Sequence, residues 1–302
     1  MGVLSSLAVP PAPNPEVEAF RQGLRELGYV EGQTVLLELR WSEGRPDRWP
    51  ELVSELVRVP VDVVVVPTTG AAVTAKQATR TIPIVAAWGG FLVEAGVVQS
   101  LARPGGNVTG LAGFAPELTA KSLQLLKEAV PKLARAAVLA SPTNPPSLGE
   151  RLVKETETGA RALGIKLQLL RIEGPTDLDG AFQAATRSGA GAVIILANPF
   201  FRVHAARVAE LALRHRLPTM NADLSFGFVE AGGLMSYGPS LTALWRRAAT
   251  YVDKILKGAK PADLPIEQPT TFDLAINLKT ARALGVTIPN SLRLRASKLI
   301  ER

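Results

Sequence analysis

Two stretches of the chain, about 135 residues apart, carry the same order of structural signals. The first runs from an apolar segment at residues 3–5 to a helical pattern that ends at Gly28, and the second runs from residues 138–140 to Gly164. In both, a loop rich in Pro and Asn follows the first apolar segment, and another apolar segment follows the glycine. A glycine at the end of a helical pattern is typical of a left-handed C-terminal cap. The repeat predicts two related β-α-β-α-β units in one chain.

Short apolar segments alternate with amphipathic helical patterns over most of the sequence. Continuous apolar character is typical of strands that a parallel sheet buries on both faces. The alternation therefore predicts an α/β, doubly wound architecture. We expect strands at residues 3–5, 35–40, 61–66, 83–87, 136–140, 165–170, 192–197, 218–220 and 234–237.

Composition excludes several classes of site. The 302 residues include no Cys and only two His, so thiol nucleophiles, zinc-thiolate centres, iron–sulfur clusters and disulfide scaffolds are absent. The net charge of +7 comes from scattered basic pairs, and aromatic residues make up only 5%. This distribution lacks the stacking platforms typical of nucleic-acid binding. His204 and His215 fall in an Arg-rich helical pattern without a carboxylate cluster, which favours solvated surface histidines over a metal site.

Motifs of catalysis and cofactor binding are missing from the sequence. It has no phosphate loop, no GxGxxG after the first strand, and neither HExxH nor GxSxG. Asp223 is the one acidic residue at a predicted strand end in the second half, and no nucleophile or second titrating group accompanies it. We therefore predict no catalytic residues, no metal and no cofactor.

Function in open α/β sheets lies where loops follow the carboxyl ends of strands. In this sequence those positions carry small hydroxyl, amide and glycine residues with several aromatics. A helix start near Thr69 and Gly70 exposes amide groups that can bind an anion. Each such residue can also act only as a helix cap, but the set as a whole favours a cleft that binds a ligand.

Six segments of the chain carry a resemblance to a known family. They read FRQGLRELGYVEGQ at 20–33, WSEGRPD at 41–47, ARPGGNVTG at 102–110, AGGLMSYG at 231–238, ILKG at 255–258 with PADLP at 261–265, and INLKTA at 276–281. In combination they resemble the ABC-transporter substrate-binding proteins related to the bacterial tryptophan/tyrosine-binding proteins. The resemblance runs over nearly the whole chain.

The resemblance implies a type I periplasmic binding protein fold, in which two doubly wound parallel-sheet lobes are joined by three crossover strands. Crossovers near residues 110–115, 235–238 and 265–271 would give lobe 1 from 1–112 plus 238–267 and lobe 2 from 113–237 plus 268–302. This arrangement returns the helix at 241–257 to lobe 1. The ligand cleft would lie between the lobes.

The resemblance also implies which residues line that cleft and what they bind. From lobe 1 they are Ser5, Ser6, Thr68, Thr69, Gly70, Trp88 and Gly89; from lobe 2 they are Asn144, Asn198, Phe200 and Asp223, with Tyr237 near a crossover. We expect the turn at Thr68 to hold an anionic group and the aromatics to pack on an apolar body, although core packing is an equal alternative for each aromatic.

Two departures from the family pattern bear on the ligand. Related sequences often have Asp where Phe91 stands and an acidic residue where Asn198 stands. A buried ammonium group needs a carboxylate or several acceptors. The absence of acidic residues at these two positions favours a neutral or anionic ligand with an apolar or aromatic part, and it makes an α-amino acid less favoured.

The resemblance implies a function in solute transport. We expect a monomer that captures an amino acid or an aromatic or apolar carboxylate and delivers it to an ABC permease, without enzymatic activity. It would work in the periplasm or on a lipid anchor outside the inner membrane, although residues 2–5 already predict a strand where an export signal would stand. The alternatives are the effector domain of a regulator, which would normally carry a DNA-binding unit, and an enzyme that uses the cleft.

Overall fold

The computed structural model describes residues 1–7, 14–112, 116–143, 146–222 and 226–301. Its strands are β1 (Gly2–Ser5), β2 (Glu38–Trp41), β3 (Val64–Val66), β4 (Ile84–Gly89), β5 (Val108–Ala112), β6 (Arg135–Ala140), β7 (Lys166–Arg171), β8 (Val193–Ile195), β9 (Thr219–Asn221), β10 (Met235–Gly238), β11 (Asp273–Asn277) and β12 (Lys298–Ile300).

Its helices are α1 (Pro15–Glu26), α2 (Trp49–Arg58), α3 (Thr69–Ala78), α4 (Pro116–Ala129), α5 (Pro146–Ala162), α6 (Asp177–Arg187), α7 (Pro199–Val203), α8 (Ala205–Arg214), α9 (Phe226–Glu230), α10 (Leu241–Leu256), α11 (Leu278–Leu284) and α12 (Asn290–Arg295). Within the described residues no helix combines the length and the apolar character needed to cross a membrane.

The chain divides into two compact units. Unit 1 comprises Met1–Phe114, Thr143–Leu148 and Leu241–Thr270, and unit 2 comprises Ala115–Pro142, Gly149–Ser240 and Thr271–Arg302. These bounds run two or three residues beyond those expected from the sequence, and they add the short segment Thr143–Leu148 to unit 1.

The sheet of unit 1 has the order β2-β1-β3-β4-β5, and every neighbouring pair in it is parallel. All three residues of β3 are fully buried, as expected for the β-branched centre of a sheet covered on both faces. Gly110 of β5 has φ of +133°, and a Cβ there would lie 2.2 Å from the backbone oxygen of Ala86 in β4. The close approach of these two strands therefore requires glycine at this position.

Helices α1 and α10 pack together in unit 1. The rings of Phe20 and Trp245 meet edge to face with centroids 6.4 Å apart. The Tyr29 hydroxyl donates to Asp253 at 3.0 Å, which adds a polar contact near the end of this pair. The buried face of α10 therefore holds the segment Leu241–Thr270 against the rest of unit 1.

The sheet of unit 2 has the order β12-β11-β10-β9-β8-β6-β7. Its pairs are parallel except for β10 with β11, which are antiparallel, with Tyr237 opposite Leu274. The α/β class with two parallel-sheet lobes is confirmed, and all nine predicted strands are present with shifted ends. The strands β5, β11 and β12 were not among those predicted.

Candidate functional site

The carboxyl ends of β2, β1, β3 and β4 lie along one edge of the unit 1 sheet, because these neighbouring strands are parallel. We call the segments that follow them the unit 1 edge: residues 5–7, 14–16, 42–49, 68–71 and 88–91. All seven residues predicted for lobe 1 lie on it. Every one of these seven is buried.

Ser5, the last residue of β1, supports the helix that follows. Its Oγ accepts hydrogen bonds from the Leu7 amide at 3.2 Å and from Asn14 Nδ2 at 2.8 Å. Asn14 in turn caps α1, since its Oδ1 accepts from the Val17 amide at 3.0 Å. Sequence reasoning missed Asn14, although Asn followed by Pro15 at the first helical position is a recognisable cap signature.

Ser6 differs from its neighbour, because its fully buried Oγ has no hydrogen-bond partner among the described residues. The same holds for Ser42, which follows β2. The two serines lie on bonded backbone segments: the Ser42 amide donates to the Ser5 carbonyl at 2.9 Å and the Gly44 amide to the Ser6 carbonyl at 2.7 Å. An unpaired buried hydroxyl costs stability, so each of these hydroxyls is a candidate to contact a ligand.

The turn at Thr68 forms the start of α3. Thr68 is the N-cap, and its hydroxyl accepts from the Ala71 amide at 3.3 Å while its carbonyl accepts from the Ala72 amide at 2.9 Å. The amides of Thr69 and Gly70 belong to the first turn, which has no intrahelical acceptors for them. These two N–H groups and the positive end of the helix dipole favour an anion at this point.

Trp88 and Gly89 are the last two residues of β4, whereas the sequence predicted that this strand ends at residue 87. Trp88 is 8% exposed, and within the described part of the chain its indole Nε1 has no partner. The Thr69 hydroxyl donates to the Gly90 carbonyl at 2.6 Å, which ties the turn after β4 to α3. Phe91 continues this turn with φ of +56°, a left-handed conformation that is costly for a bulky residue.

Two further residues of the unit 1 edge were not predicted. Trp49 begins α2, is 3% exposed, and has an indole nitrogen without a partner in the described residues. Glu16 is the second residue of α1 and is only 2% exposed. No sequence signal separates Glu16 from the exposed Glu18 two positions later, because both fit the first turn of a helix.

In unit 2, Asn198 follows β8 and caps α7. Its Oδ1 accepts from the Phe200 amide at 2.9 Å, and its Nδ2 donates to the carbonyls of Ser141 at 3.3 Å and Pro142 at 3.0 Å. The side chain therefore fastens the end of β8 to the segment that follows β6. These bonds give Asn198 a structural role, and its role toward a ligand stays a prediction.

Phe200 is 8% exposed and belongs to the apolar core of unit 2. Its ring lies 5.3 Å from that of Phe201 and 4.5 Å from that of His204, measured between centroids. The expectation that His204 and His215 lie in one helix is wrong, because the helix breaks at His204. Both histidines are half-buried: burial lowers the pKa of His204, and His215 Nδ1 lies 3.0 Å from the Thr186 hydroxyl.

Tyr237 lies in β10 and is half-buried. Its ring contacts that of Phe272 at a centroid distance of 6.2 Å, and burial raises the pKa of its hydroxyl. The other two residues predicted for lobe 2, Asn144 and Asp223, lie outside the described residues.

Helix α4 adds two unpredicted polar groups to unit 2. It packs against β9 and β10, and it leads into β6, so its first turn lies toward the carboxyl ends of the strands. Thr119 and Ser122 are 1% and 0% exposed, and their hydroxyls have no partner among the described residues. The described residues contain no group of three or more His, Asp or Glu arranged to hold a metal ion.

Comparison with known proteins gives matches over nearly the whole chain. A family model described as "ABC transporter substrate binding protein" matches residues 6–300. The tyrosine-binding protein of Clostridioides difficile (strain R20291) is 24% identical over 287 residues, which span 94% of this chain and 80% of that relative.

Two solved structures resemble the chain closely. The ABC domain in complex with L-Trp from Streptococcus pneumonia is 27% identical, with a TM-score of 0.87 and 99% of both chains covered. A conserved domain protein from Vibrio cholerae O1 biovar eltor is also 27% identical, with a TM-score of 0.88 and coverage of 99% of this chain and 98% of that one. The resemblance drawn from the sequence is thereby confirmed. The chain belongs to the ABC transporter substrate-binding protein family and has the type I periplasmic binding protein fold.

Proposed function

We propose that this protein is the solute-binding component of an ABC importer, which captures a small molecule outside the cytoplasm and delivers it to a membrane permease. The observation that carries the proposal is the unit 1 edge. In a chain of this family, it gathers the amides of Thr69 and Gly70, the Ser6 hydroxyl and the Trp88 indole N–H. Buried donors without partners are uncommon in folded proteins, and a ligand that accepts hydrogen bonds would satisfy them.

The ligand we propose is an aromatic amino acid or a related aromatic or apolar carboxylate. A carboxylate suits the start of α3, because charge-assisted hydrogen bonds from amides and the helix dipole act on it together. Trp88 offers an aromatic ring beside this turn, next to the Gly90 carbonyl that Thr69 holds. The L-Trp bound to the Streptococcus protein and the tyrosine named for the Clostridioides relative fit the same class.

Capture by closure of the two units is part of the proposal. Unit 2 would contribute Phe200, Tyr237 and Asn198, together with the predicted residues Asn144 and Asp223. A ligand that contacts both units favours the closed state by the difference between its affinities for the closed and open states. The protein would work as a monomer, in the periplasm or on an extracytoplasmic lipid anchor, and would release its ligand chemically unchanged.

Titration calorimetry with L-tryptophan, L-tyrosine, indole-3-propionate and 3-(4-hydroxyphenyl)propionate tests this function, with glucose and L-glutamate as negative controls. We expect saturable binding of one molecule per chain to at least one aromatic carboxylate. At a concentration of 100 times Kd, that ligand should also stabilise the folded chain by about 2.7 kcal/mol. Mass spectrometry should recover it unchanged.

Heat changes with glucose alone, or chemical conversion of the ligand, would contradict the proposal. Scattering in solution then tests closure, since the radius of gyration should decrease when the bound ligand is added. An unchanged radius at saturation would contradict capture by closure while leaving binding itself intact.

A further inference from the structure

The basic residues of this chain are unevenly divided between the two units. Unit 1 carries 14 Lys or Arg residues and 14 Asp or Glu residues, whereas unit 2 carries 20 and 13. The whole net charge of +7 therefore belongs to unit 2. Whether these charges form one surface depends on where the fold places them.

Unit 2 gathers basic residues where its helices lead into β6, β7, β8 and β9. Counted from the last two residues of each helix to the first residue of the strand, these connections are residues 128–135, 161–166, 186–193 and 213–219. Together they contain seven Lys or Arg residues and one acidic residue, Glu128. Glu128 pairs with Arg295, and Arg214 pairs with Glu210. The other six cations are exposed and form no ion pair within the described residues; they are Lys132, Arg135, Arg161, Lys166, Arg187 and Arg216.

These connections lie side by side at the amino-terminal edge of the unit 2 sheet. Strands β7, β6, β8 and β9 are consecutive parallel neighbours, so their first residues span about 15 Å at about 5 Å per strand. Arg135 and Lys166 are directly opposite each other in the register of β6 and β7. The Arg135 guanidinium also donates to the carbonyl of Ser188, which follows Arg187. The six cations therefore form one surface, which we call the basic edge.

Helix dipoles alone do not account for the basic edge. Cations near the C-terminal end of a helix are stabilising, and this effect applies to both units. The corresponding connections into β2, β3 and β4 of unit 1 are residues 25–38, 57–64 and 77–84. They contain three basic and four acidic residues. The excess of positive charge is thus a property of unit 2 and not of helix–strand connections in general.

The chemistry of the basic edge suits a partner surface that carries many negative charges. Its four connections contain no Phe, Trp or Tyr, so they offer no platform on which nucleic-acid bases can stack. They do contain Leu213, which is 43% exposed beside Arg214. An exposed apolar side chain among cations suits the interface of a lipid bilayer. Each Lys or Arg near an anionic bilayer strengthens binding about fivefold.

We propose that the basic edge of unit 2 binds the surface of a bilayer that contains anionic phospholipids. The inference goes beyond the proposed function and takes from it only that the chain works beside a membrane. The basic edge lies at the opposite ends of the strands from Asn198 and Phe200. Contact with lipid therefore leaves that end of unit 2 free for a small molecule, and it concentrates the protein at the membrane in which the permease lies.

Co-sedimentation with large unilamellar vesicles tests the proposal. Vesicles of phosphatidylcholine with about 30% phosphatidylglycerol should bind the wild-type protein, whereas vesicles of phosphatidylcholine alone should not. Because salt screens surface charges, the partition coefficient should fall at least about tenfold between about 0.05 M and about 0.5 M NaCl. Replacing Arg161, Lys166 and Arg187 together by Gln should lower it at least about 30-fold at low salt.

The matched control removes three exposed cations from unit 1. Replacing Arg58, Arg80 and Arg103 together by Gln lowers the net charge by the same amount. Vesicle binding should then change less than about threefold, because these cations do not belong to the basic edge. Both triple variants should bind the small-molecule ligand in calorimetry as the wild-type protein does, and circular dichroism checks that they are folded.

A site-specific readout uses the absence of Cys from the chain, since a single introduced thiol is then the only site for a thiol-reactive dye. Leu213→Cys places an environment-sensitive dye at the basic edge, and Val30→Cys places it on unit 1, where Val30 is 44% exposed. Vesicles with phosphatidylglycerol should shift the emission of the dye at position 213 to the blue and leave that at position 30 unchanged.

Several results would overturn the inference. They are equal binding to both kinds of vesicle, binding to neither, an equal loss of binding in the two triple variants, and equal responses of the two dyes. If a DNA duplex of random sequence binds the basic edge and the anionic vesicles do not, the partner is a nucleic acid and the membrane assignment fails. Failure of the proposed function is seen separately, as loss of ligand binding in calorimetry while vesicle binding is intact.

Discussion

Replacing Ser5 or Ser6 by alanine should change stability in opposite directions, although the two serines are adjacent and equally buried. Ser5 Oγ accepts two hydrogen bonds, from the Leu7 amide and from Asn14 Nδ2. Ser5→Ala leaves both donors unsatisfied, and one of them belongs to the residue that caps α1. An unsatisfied buried group costs about 1–3 kcal/mol, so the free energy of unfolding should fall by that amount.

Ser6→Ala removes a hydroxyl that has no partner among the described residues and no exposed surface. Because this change removes an unsatisfied buried hydroxyl, we expect the free energy of unfolding of the ligand-free protein to rise by about 1 kcal/mol. If this hydroxyl binds the ligand, affinity should fall about tenfold, which corresponds to about 1.4 kcal/mol. Higher stability with weaker binding is the signature of a group kept for function.

Urea unfolding without ligand gives the stability of both variants, and calorimetry gives their affinity for the ligand found with the wild-type protein. The two free energies of unfolding should differ by at least about 2 kcal/mol, with S6A the more stable. If S6A loses as much stability as S5A, its hydroxyl has a structural partner. If S6A binds the ligand as the wild type does, Ser6 is not part of the site.

Three other predictions concern the fold. Gly23→Ala should lower the free energy of unfolding, measured with urea, by about 2 kcal/mol, because a Cβ at Gly23 would lie 2.4 Å from a backbone oxygen of α10. The matched control is Gly180→Ala in α6, where an added Cβ meets no atom within 4 Å. This change should raise the free energy of unfolding by about 0.5–1 kcal/mol. If both variants lose stability, the close packing of α1 on α10 does not explain the cost of Gly23→Ala. Arg216 is exposed and has φ of +54° just after α8, so Arg216→Gly should raise the melting temperature through about 1 kcal/mol of relieved strain, and a lower melting temperature would contradict this. Hydrogen bonds from the Arg247 guanidinium hold the pKa of Glu267 below its ordinary value of 4.5, so this pair contributes stability above that pH and loses it as the pH falls through the folded-state pKa. Glu267→Gln should therefore cost less than about 1 kcal/mol at pH 7, since both side chains are partly exposed. This cost should shrink as the pH falls below 4.5 and Glu267 becomes protonated; a cost that does not shrink would rule out the ion pair as its source.

The sequence predicted the architecture because the strongest signals are local. The run of Val residues in β3 is fully buried, and such a run has few alternatives to a central strand. Strands β11 and β12 were not predicted, because their sequence signals are weaker and their formation depends on pairing with neighbouring strands. β12 has three half-buried residues, and β11 pairs with β10 in the antiparallel direction, which a search for buried parallel strands does not anticipate.

The candidate site could be predicted by position but not by chemistry. The strand-end rule found Ser6, Thr69 and Trp88 because parallel strands bring their carboxyl ends together. It could not tell that the hydroxyl of Ser5 is bonded and that of Ser6 is not, since this depends on where Asn14 lies. Glu16 was missed for the same reason, because burial of one helix position depends on tertiary packing and not on the helix sequence.

The most direct measurement follows the backbone amides of Thr69 and Gly70 by two-dimensional NMR while the aromatic carboxylate that calorimetry identifies is added. The account predicts that these two resonances move downfield, as hydrogen bonds to a carboxylate form, and saturate at one ligand per chain. The amide of Gly180 in α6 serves as an internal reference and should not shift. Saturable binding with the resonances of Thr69 and Gly70 unmoved would contradict the account.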